Sequence, residues 1–178
     1  MARYRADEDR PYFCTITVLE WLPVLIEARF IDPIIDSLRF CRTRRAMELF
    51  GFVVMPHHLH LIAQAGDQLH AVMRDFKRFT SRTIHEQLKA DGRLTILNWL
   101  SQATPAARRG QGDLGLWQPG FHPQEIYTAE VFEQKLNYLH DNPVRKGLVR
   151  LASDWWYSSA GFYDGRESVC MDVDPLEL

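Results

Sequence analysis

The chain has 178 residues, 46% of them hydrophobic and 25% charged, with a formal net charge of −2. That suits one domain with its own core, and no apolar run reaches the roughly 20 residues a membrane-spanning helix needs. The charge argues against an indiscriminate nucleic-acid binder. Three widely spaced cysteines argue against a disulfide framework or a thiolate zinc site, and the charged opening lacks a signal peptide's apolar stretch, so a cytoplasmic location is expected.

Residues 12–19, with Phe13, Ile16 and Val18, predict a first strand. Asp32-Pro33 offers an N-cap acid and a proline at the first helical position. Ile34, Ile35, Leu38 and Cys41 follow at helical spacing, so a helix is expected from there to about 47. Residues 49–56 and 58–64 predict two strands joined at 55–57, with Pro56 at a strand end because it has no ladder N–H. Asp67 is expected to cap a second helix bearing Leu69, Val72, Met73, Phe76, Phe79 and Leu88, and Asp91-Gly92 to end it. A short helix over 96–103, a mobile glycine-rich loop over 104–115 and an extended stretch over 116–127 follow. Thr128 should cap a long helix to about 142, where Pro143 ends it.

The aromatic stretch after Gly147 reads as irregular. The end of the chain sets Asp164, Glu167, Asp172, Asp174 and Glu177 against Arg166, so 164–178 is expected to be a loosely held acidic tail on a domain spanning 10–163. Such a tail is a solvated end or an internal competitor for an anionic ligand, and the solvated end is the better prior. The element order predicts an α+β fold with a ferredoxin-like antiparallel sheet and helices packed on it.

His58 and His60 stand at i and i+2 of a strand, so both imidazoles project to one face while Leu59 projects to the other. Alone, such a pair is more often an ordinary satisfied pair than a metal site. A second pair changes the balance: Tyr138 and Asn142 lie at i and i+4 on one helix stripe with Lys135 beside them, while Phe132, Leu136 and Leu139 occupy another stripe suited to the core. If the Tyr138 stripe docks over the histidines, the site gains a third metal ligand and a nucleophile. A phenol with an ordinary pKa near 10 is a weak nucleophile at neutral pH. A divalent ion polarising a phosphodiester lowers that barrier, and covalent capture on tyrosine keeps the bond energy for rejoining.

Asn142 has a bland reading as a helix C-terminal residue before proline. Tyr127, Tyr157 and Tyr163 have no ligand at i+4, which favours packing for each. Arg74, Arg78 and Arg82 form a basic ridge with Lys77 at its flank, a solvated face or a phosphate-binding one. Arg39, Arg42, Arg44 and Arg45 form a second cluster. Trp155 and Trp156 are expected in the core, and Trp117 is either a core residue or a stacking surface for bases.

Five ordered stretches carry a resemblance to a known family. They are 54–62 (VMPHHLHLI), 76–81 (FKRFTS), 116–121 (LWQPGF), 137–149 (NYLHDNPVRKGLV) and 156–160 (WYSSA). Together, over residues 10–163, they resemble the single-tyrosine HUH transposases, closest to the REP-associated branch. The resemblance implies His58, His60 and Asn142 as metal ligands, with Mg²⁺ or Mn²⁺. It implies Tyr138 as the nucleophile that forms a 5′-phosphotyrosine, and single-stranded DNA with a hairpin like a repetitive extragenic palindrome as the partner. Arg74, Lys77, Arg78, Arg82, Lys135, Arg145, Lys146 and Trp117 are the expected DNA contacts. A monomer is expected, with the shared-site dimer of insertion-sequence relatives as the alternative. His57 departs from the asparagine usual there, and the loop at 101–115 is longer than expected.

Two other functions fit parts of the pattern. One is a hairpin-binding protein that has lost cleavage. The other is a metallohydrolase of small substrates, for which Asp67 is the nearest added carboxylate but is better used as a helix cap. A tail that occludes a basic groove would make truncation of 165–178 raise DNA binding.

Overall fold

The computed structural model describes residues 10–106 and 115–174. Four antiparallel strands form one sheet in the order β2-β3-β1-β4: β1 Tyr12–Thr17, β2 Glu48–Met55, β3 His58–Gln64 and β4 Gln124–Glu125. Helix α1 (Ala28–Arg44) joins β1 to β2. Helices α2 (Leu69–Ala90) and α3 (Leu94–Ala103) lie between β3 and β4. The β-α-β-β-α-β succession is the ferredoxin-like arrangement expected. A further helix, α4 (Ala129–Arg145), packs on the opposite side of the sheet, and a single turn, α5 (Ala160–Tyr163), follows.

Alternation along the strands sorts the two cores. Cys14, Ile16, Leu59, Leu61 and Ala63 face α1 and α2, whose Ile31, Ile34, Leu38, Val72, Met73 and Phe76 complete the larger core. Phe13, Phe50, Val53, Met55 and Ile62 face α4 and meet Phe132, Leu136 and Leu139. Gly51 lets that helix lie close, because a Cβ there would stand 2.7 Å from Leu136 Cδ1.

The exposed edge of β2 is covered. Val54 N donates to Tyr157 O (2.9 Å) and Ser159 N to Phe52 O (3.0 Å), which removes a free edge from solution. Ser159 Oγ also shares a hydrogen bond with His140 Nε2 (2.8 Å), tying α4 to the same edge.

Several boundaries depart from expectation. Helix α1 begins at Ala28, four residues before the expected cap. Pro33 lies inside it and is buried, so the packing of Phe30 and Ile31 extends the helix past the bond that proline cannot make. Asp67 is not a cap: it accepts from the Gln68 side chain (3.0 Å) in a short 3₁₀ turn ahead of α2. Thr128 does cap α4, accepting from Val131 N (3.3 Å). Pro143 does not stop that helix, which runs to Arg145, since a proline so near the end removes only one bond. Of 116–127, only Gln124–Glu125 is a strand, with Trp117 bridged to Val18.

The end of the chain is not loose over its described part. Cys170, Met171 and Val173 are buried in the larger core, and Asp174 N donates to Leu49 O (2.8 Å). Arg39 donates to Cys170 O, and Arg42 Nε donates to the Asp174 carboxylate (2.9 Å). Arg39 and Arg42 of the second basic cluster therefore anchor the tail. Most of the glycine-rich loop, and residues 1–9 and 175–178, lie outside the described residues. Among the described residues no helix is long and apolar enough to cross a membrane.

Candidate active site

The β2–β3 hairpin closes through Pro56-His57, because Met55 pairs with His58. The segment after β1 pins this turn from outside: Val18 N donates to His57 O and Leu25 N to Pro56 O, both at 2.9 Å. His57 does not have a positive φ, so the turn is not the left-handed type that an asparagine would serve. From this fixed turn β3 projects His58 and His60 to the α4 side, beyond the part of the face that α4 covers with apolar residues.

The two imidazoles lie 4.6 Å apart between ring centres and both are buried. His60 stacks on Phe13 at 5.1 Å, and its Nδ1 shares a hydrogen bond with Thr15 Oγ1 (2.9 Å), the residue opposite it on β1. When Nδ1 carries the proton, Nε2 keeps its lone pair for an ion, the usual way a neighbour orients a ligating histidine. His58 Nδ1 is buried with no hydrogen-bond partner. Burial, then the neighbouring His57 and Lys146, push His58 down to about 4. Burial, then His58 and Lys135, push His60 down to about 3. Both rings are therefore neutral near pH 7, the form that binds metals.

Helix α4 brings the tyrosine to this pair. The Tyr138 ring stands edge-on to His60 at 5.6 Å and to Phe13 at 5.9 Å, and the residue is 42% exposed. One turn on, Asn142 donates from Nδ2 to Tyr138 O (2.8 Å), which leaves Oδ1 as the side-chain atom able to accept. Its amide favours the charged form of His58, a smaller influence than burial. His58, His60, Tyr138 and Asn142 are thus gathered in one place. Among the described residues no group of three or more His, Cys, Asp or Glu side chains gathers to hold a metal. The donors available are two imidazoles and an amide oxygen, and the orphaned nitrogen of His58 fits a bound divalent ion.

The expected DNA contacts divide. Lys135, Arg145 and Lys146 rim the site: Lys135 Nζ lies 4.9 Å from the Phe13 ring centre, the Arg145 guanidinium 5.5 Å from that of Tyr138, and the charge of Lys146 bears on His57 and His58. Arg74, Arg78 and Arg82 sit on α2, in the layer across the sheet from α4. There Arg74 pairs with Asp75 and Arg82 with Glu86, while Arg78 is exposed. Lys77 is committed to structure, donating to Gln118 O (2.7 Å) and Gly120 O (2.8 Å). The stacking role held open for Trp117 is overturned: it is 1% exposed and its Nε1 donates to Thr80 Oγ1 (2.9 Å). Trp155 is half-buried and donates to Val54 O, but Trp156, expected in the core, is exposed.

Three residues of the site went unread in the sequence. Phe13 and Thr15 share the His60 face by alternation, which the strand pattern contained. Trp21, whose ring lies 5.3 Å from His57 and 6.0 Å from His58, follows a strand in a loop with no periodic signal.

The structure is thus an α+β domain whose ferredoxin-like sheet carries a histidine pair beside a helical tyrosine. No family model matches the chain. It is 25% identical over 118 residues to the REP-associated tyrosine transposase of Escherichia coli K12, covering 65% of this chain and 55% of that protein. It is 25% identical over 163 residues to a Haemophilus influenzae Rd protein named as a REP-associated tyrosine transposase, covering 89% of this chain and 85% of that one. The chain thus spans little more than half the length of the Escherichia coli relative. A solved structure of a REP-associated tyrosine transposase bound to a REP hairpin aligns over 100% of this chain and 95% of its own, with a TM-score of 0.58 and 20% identity, a likeness of fold. The chain is similar to the REP-associated tyrosine transposases, as its motifs indicate.

Proposed function

We propose that the protein is a metal-dependent DNA nuclease and strand transferase that acts on hairpin-bearing single-stranded DNA through Tyr138. The observation that carries this reading is the edge contact of the Tyr138 ring with His60, beside an imidazole that keeps a buried nitrogen unpaired. The names of the relatives, and the hairpin held by the structural neighbour, support the substrate class.

Tyr138 Oη attacks the scissile phosphorus and loses its proton to solvent. The bond from phosphorus to the 3′ oxygen breaks, and that oxygen leaves as a 3′-hydroxyl after taking up a proton. The 5′ side stays on the enzyme as a phosphotyrosine, and attack by a 3′-hydroxyl reverses the step and rejoins DNA. His58, His60 and Asn142 would hold a divalent ion, Mg²⁺ or Mn²⁺, that when bound draws charge from the phosphate. Phe13 and Thr15 hold the His60 ring in place, and Lys135, Arg145 and Lys146 attract the backbone. Tyr138 reaches the histidines of its own chain, which favours a monomer as the working unit.

The test is an end-labelled hairpin oligonucleotide with an unpaired extension, incubated with protein and Mg²⁺ or Mn²⁺. An adduct that survives SDS is expected from the natural chain and absent from Tyr138→Phe. No adduct with either ion, or an equal one from Tyr138→Phe, overturns the reading. Hairpin binding without an adduct identifies a protein that has kept only recognition.

A further inference from the structure

The connection from β1 to α1 crosses the His57-His58 turn, to which Val18 and Leu25 bind it. Within it two successive residues other than glycine are left-handed, Glu20 at φ 50° and Trp21 at φ 56°. For a residue as bulky as tryptophan that is a genuine outlier, and such strain persists only where surrounding bonds impose it. Those bonds are present: Leu19 N donates to Leu116 O (2.9 Å), Trp21 N to Val18 O (3.1 Å) and Leu22 N to Leu19 O (3.1 Å). Burial does not explain the strain, since the indole so held is 57% exposed. Its ring centre lies 5.3 Å from that of His57 and 6.0 Å from that of His58. Lys146, itself exposed, acts on the same two histidines by its charge.

An exposed aromatic ring near an exposed cation is what single-stranded nucleic acid uses, bases on rings and backbone on positive charge. We propose that Trp21 is the stacking platform for an unpaired base next to the phosphate bound at His58 and His60, held there by the strained Glu20-Trp21 turn. This rests on the proposed function and adds a base-binding position to it. Because every base has a π-face, Trp21 supplies affinity and places the strand, and leaves sequence choice to other groups.

The test uses a Tyr138→Phe background, so the probe is not consumed, and compares fluorescence anisotropy of a hairpin with a short unpaired extension against the same hairpin blunt-ended. Trp21→Ala is expected to weaken the extended hairpin about tenfold and leave the blunt one unchanged, while Trp21→Phe keeps most of the affinity. An abasic site at one position of the extension should bring the parent down to the Trp21→Ala level. Trp21→Asn, a residue that accepts a positive φ, should bind as weakly as Trp21→Ala yet unfold at the parent's temperature or above, which separates stacking from a folding defect. Unchanged binding by Trp21→Ala and Trp21→Asn, in a parent that prefers the extended hairpin, overturns this inference and leaves the proposed function standing. A parent that binds neither probe overturns both.

Discussion

The two faces of the sheet are built differently from the same strands. The face toward α1 and α2 is covered along its length, and its strand residues Cys14, Ile16, Leu59, Leu61 and Ala63 are uniformly apolar or small. On the face toward α4, Phe13, Phe50, Val53, Met55 and Ile62 form an apolar cluster with Leu136 and Leu139, and beside it stand His58, His60 and an exposed Thr15. One face is optimised for burial. The other carries polar side chains at one end, and that end is where neutral imidazoles, an amide and an exposed tyrosine collect. A period of two makes this division possible within a single strand: Leu59 and Leu61 hold the core while His58 and His60 serve the site.

A matched pair of substitutions puts the largest difference on that comparison. Phe76→Ala, on the covered face, should lower unfolding free energy by about 3–5 kcal/mol, the range for losing a buried phenyl ring. His58→Leu, on the other face, should leave stability level or raise it, because it removes a buried nitrogen without a partner, a group that costs about 1–3 kcal/mol. It should also abolish the metal-dependent adduct. Urea denaturation of both variants reads the result, and a His58→Leu loss as large as that of Phe76→Ala would mean the histidine is a packing residue.

How far this contrast could be read from sequence follows from where periodicity exists. The i, i+2 imidazoles and the Tyr138/Asn142 stripe were visible because strand and helix repeats fix their direction. The motif resemblance located two further stretches without saying why they belong together; the structure supplies the reason. Thr80 and Ser81 hold Trp117 and Leu116, and Lys77 holds the carbonyls of Gln118 and Gly120. Trp117 was open between roles because a tryptophan in an irregular stretch has no neighbours of known direction. Trp21 gave no signal at all, since its position depends on strained dihedrals and on bonds to distant residues. Two helix starts departed for a related cause: Asp32-Pro33 and Asp67 have capping chemistry, but burial of Phe30 and Ile31 and the 3₁₀ turn at Gly66–Gln68 decided the outcome.

The second prediction concerns acid. His140 is buried against Ser159, and burial pushes it down to about 4 from an ordinary 6.5. Between those values the unfolded chain binds a proton that the folded chain refuses, so stability falls as pH is lowered from about 6.5 and the loss is complete below about 4. A shift of that size corresponds to about 3 kcal/mol for this group. His58 and His60 act in the same direction, which sets the α4 face apart from the other as the acid-sensitive one. Unfolding free energies at pH 7.5 and 4.5 should differ less in His140→Gln than in the natural chain. Equal differences would show that His140 meets solvent before the fold opens.

The smallest effect separates the tail from the site. Asp174 loses favour through burial but is held ionised, below its usual range, by hydrogen bonds from Arg42 and Leu49 N and by the Arg42 charge. These contacts lie against α1 and the Leu49 end of β2, so the described tail braces the covered face and stands away from Tyr138. Asp174→Asn keeps the shape and removes the charge, and should cost about 1 kcal/mol, as a partly exposed ion pair does. Hairpin affinity should not change. If the tail instead competed with DNA for basic groups, Asp174→Asn would tighten hairpin binding while destabilising the fold, and anisotropy beside thermal unfolding distinguishes the two outcomes. Because Arg42 is already satisfied by the chain's own carboxylate, the bracing role accounts for Asp174 without any nucleic acid being displaced.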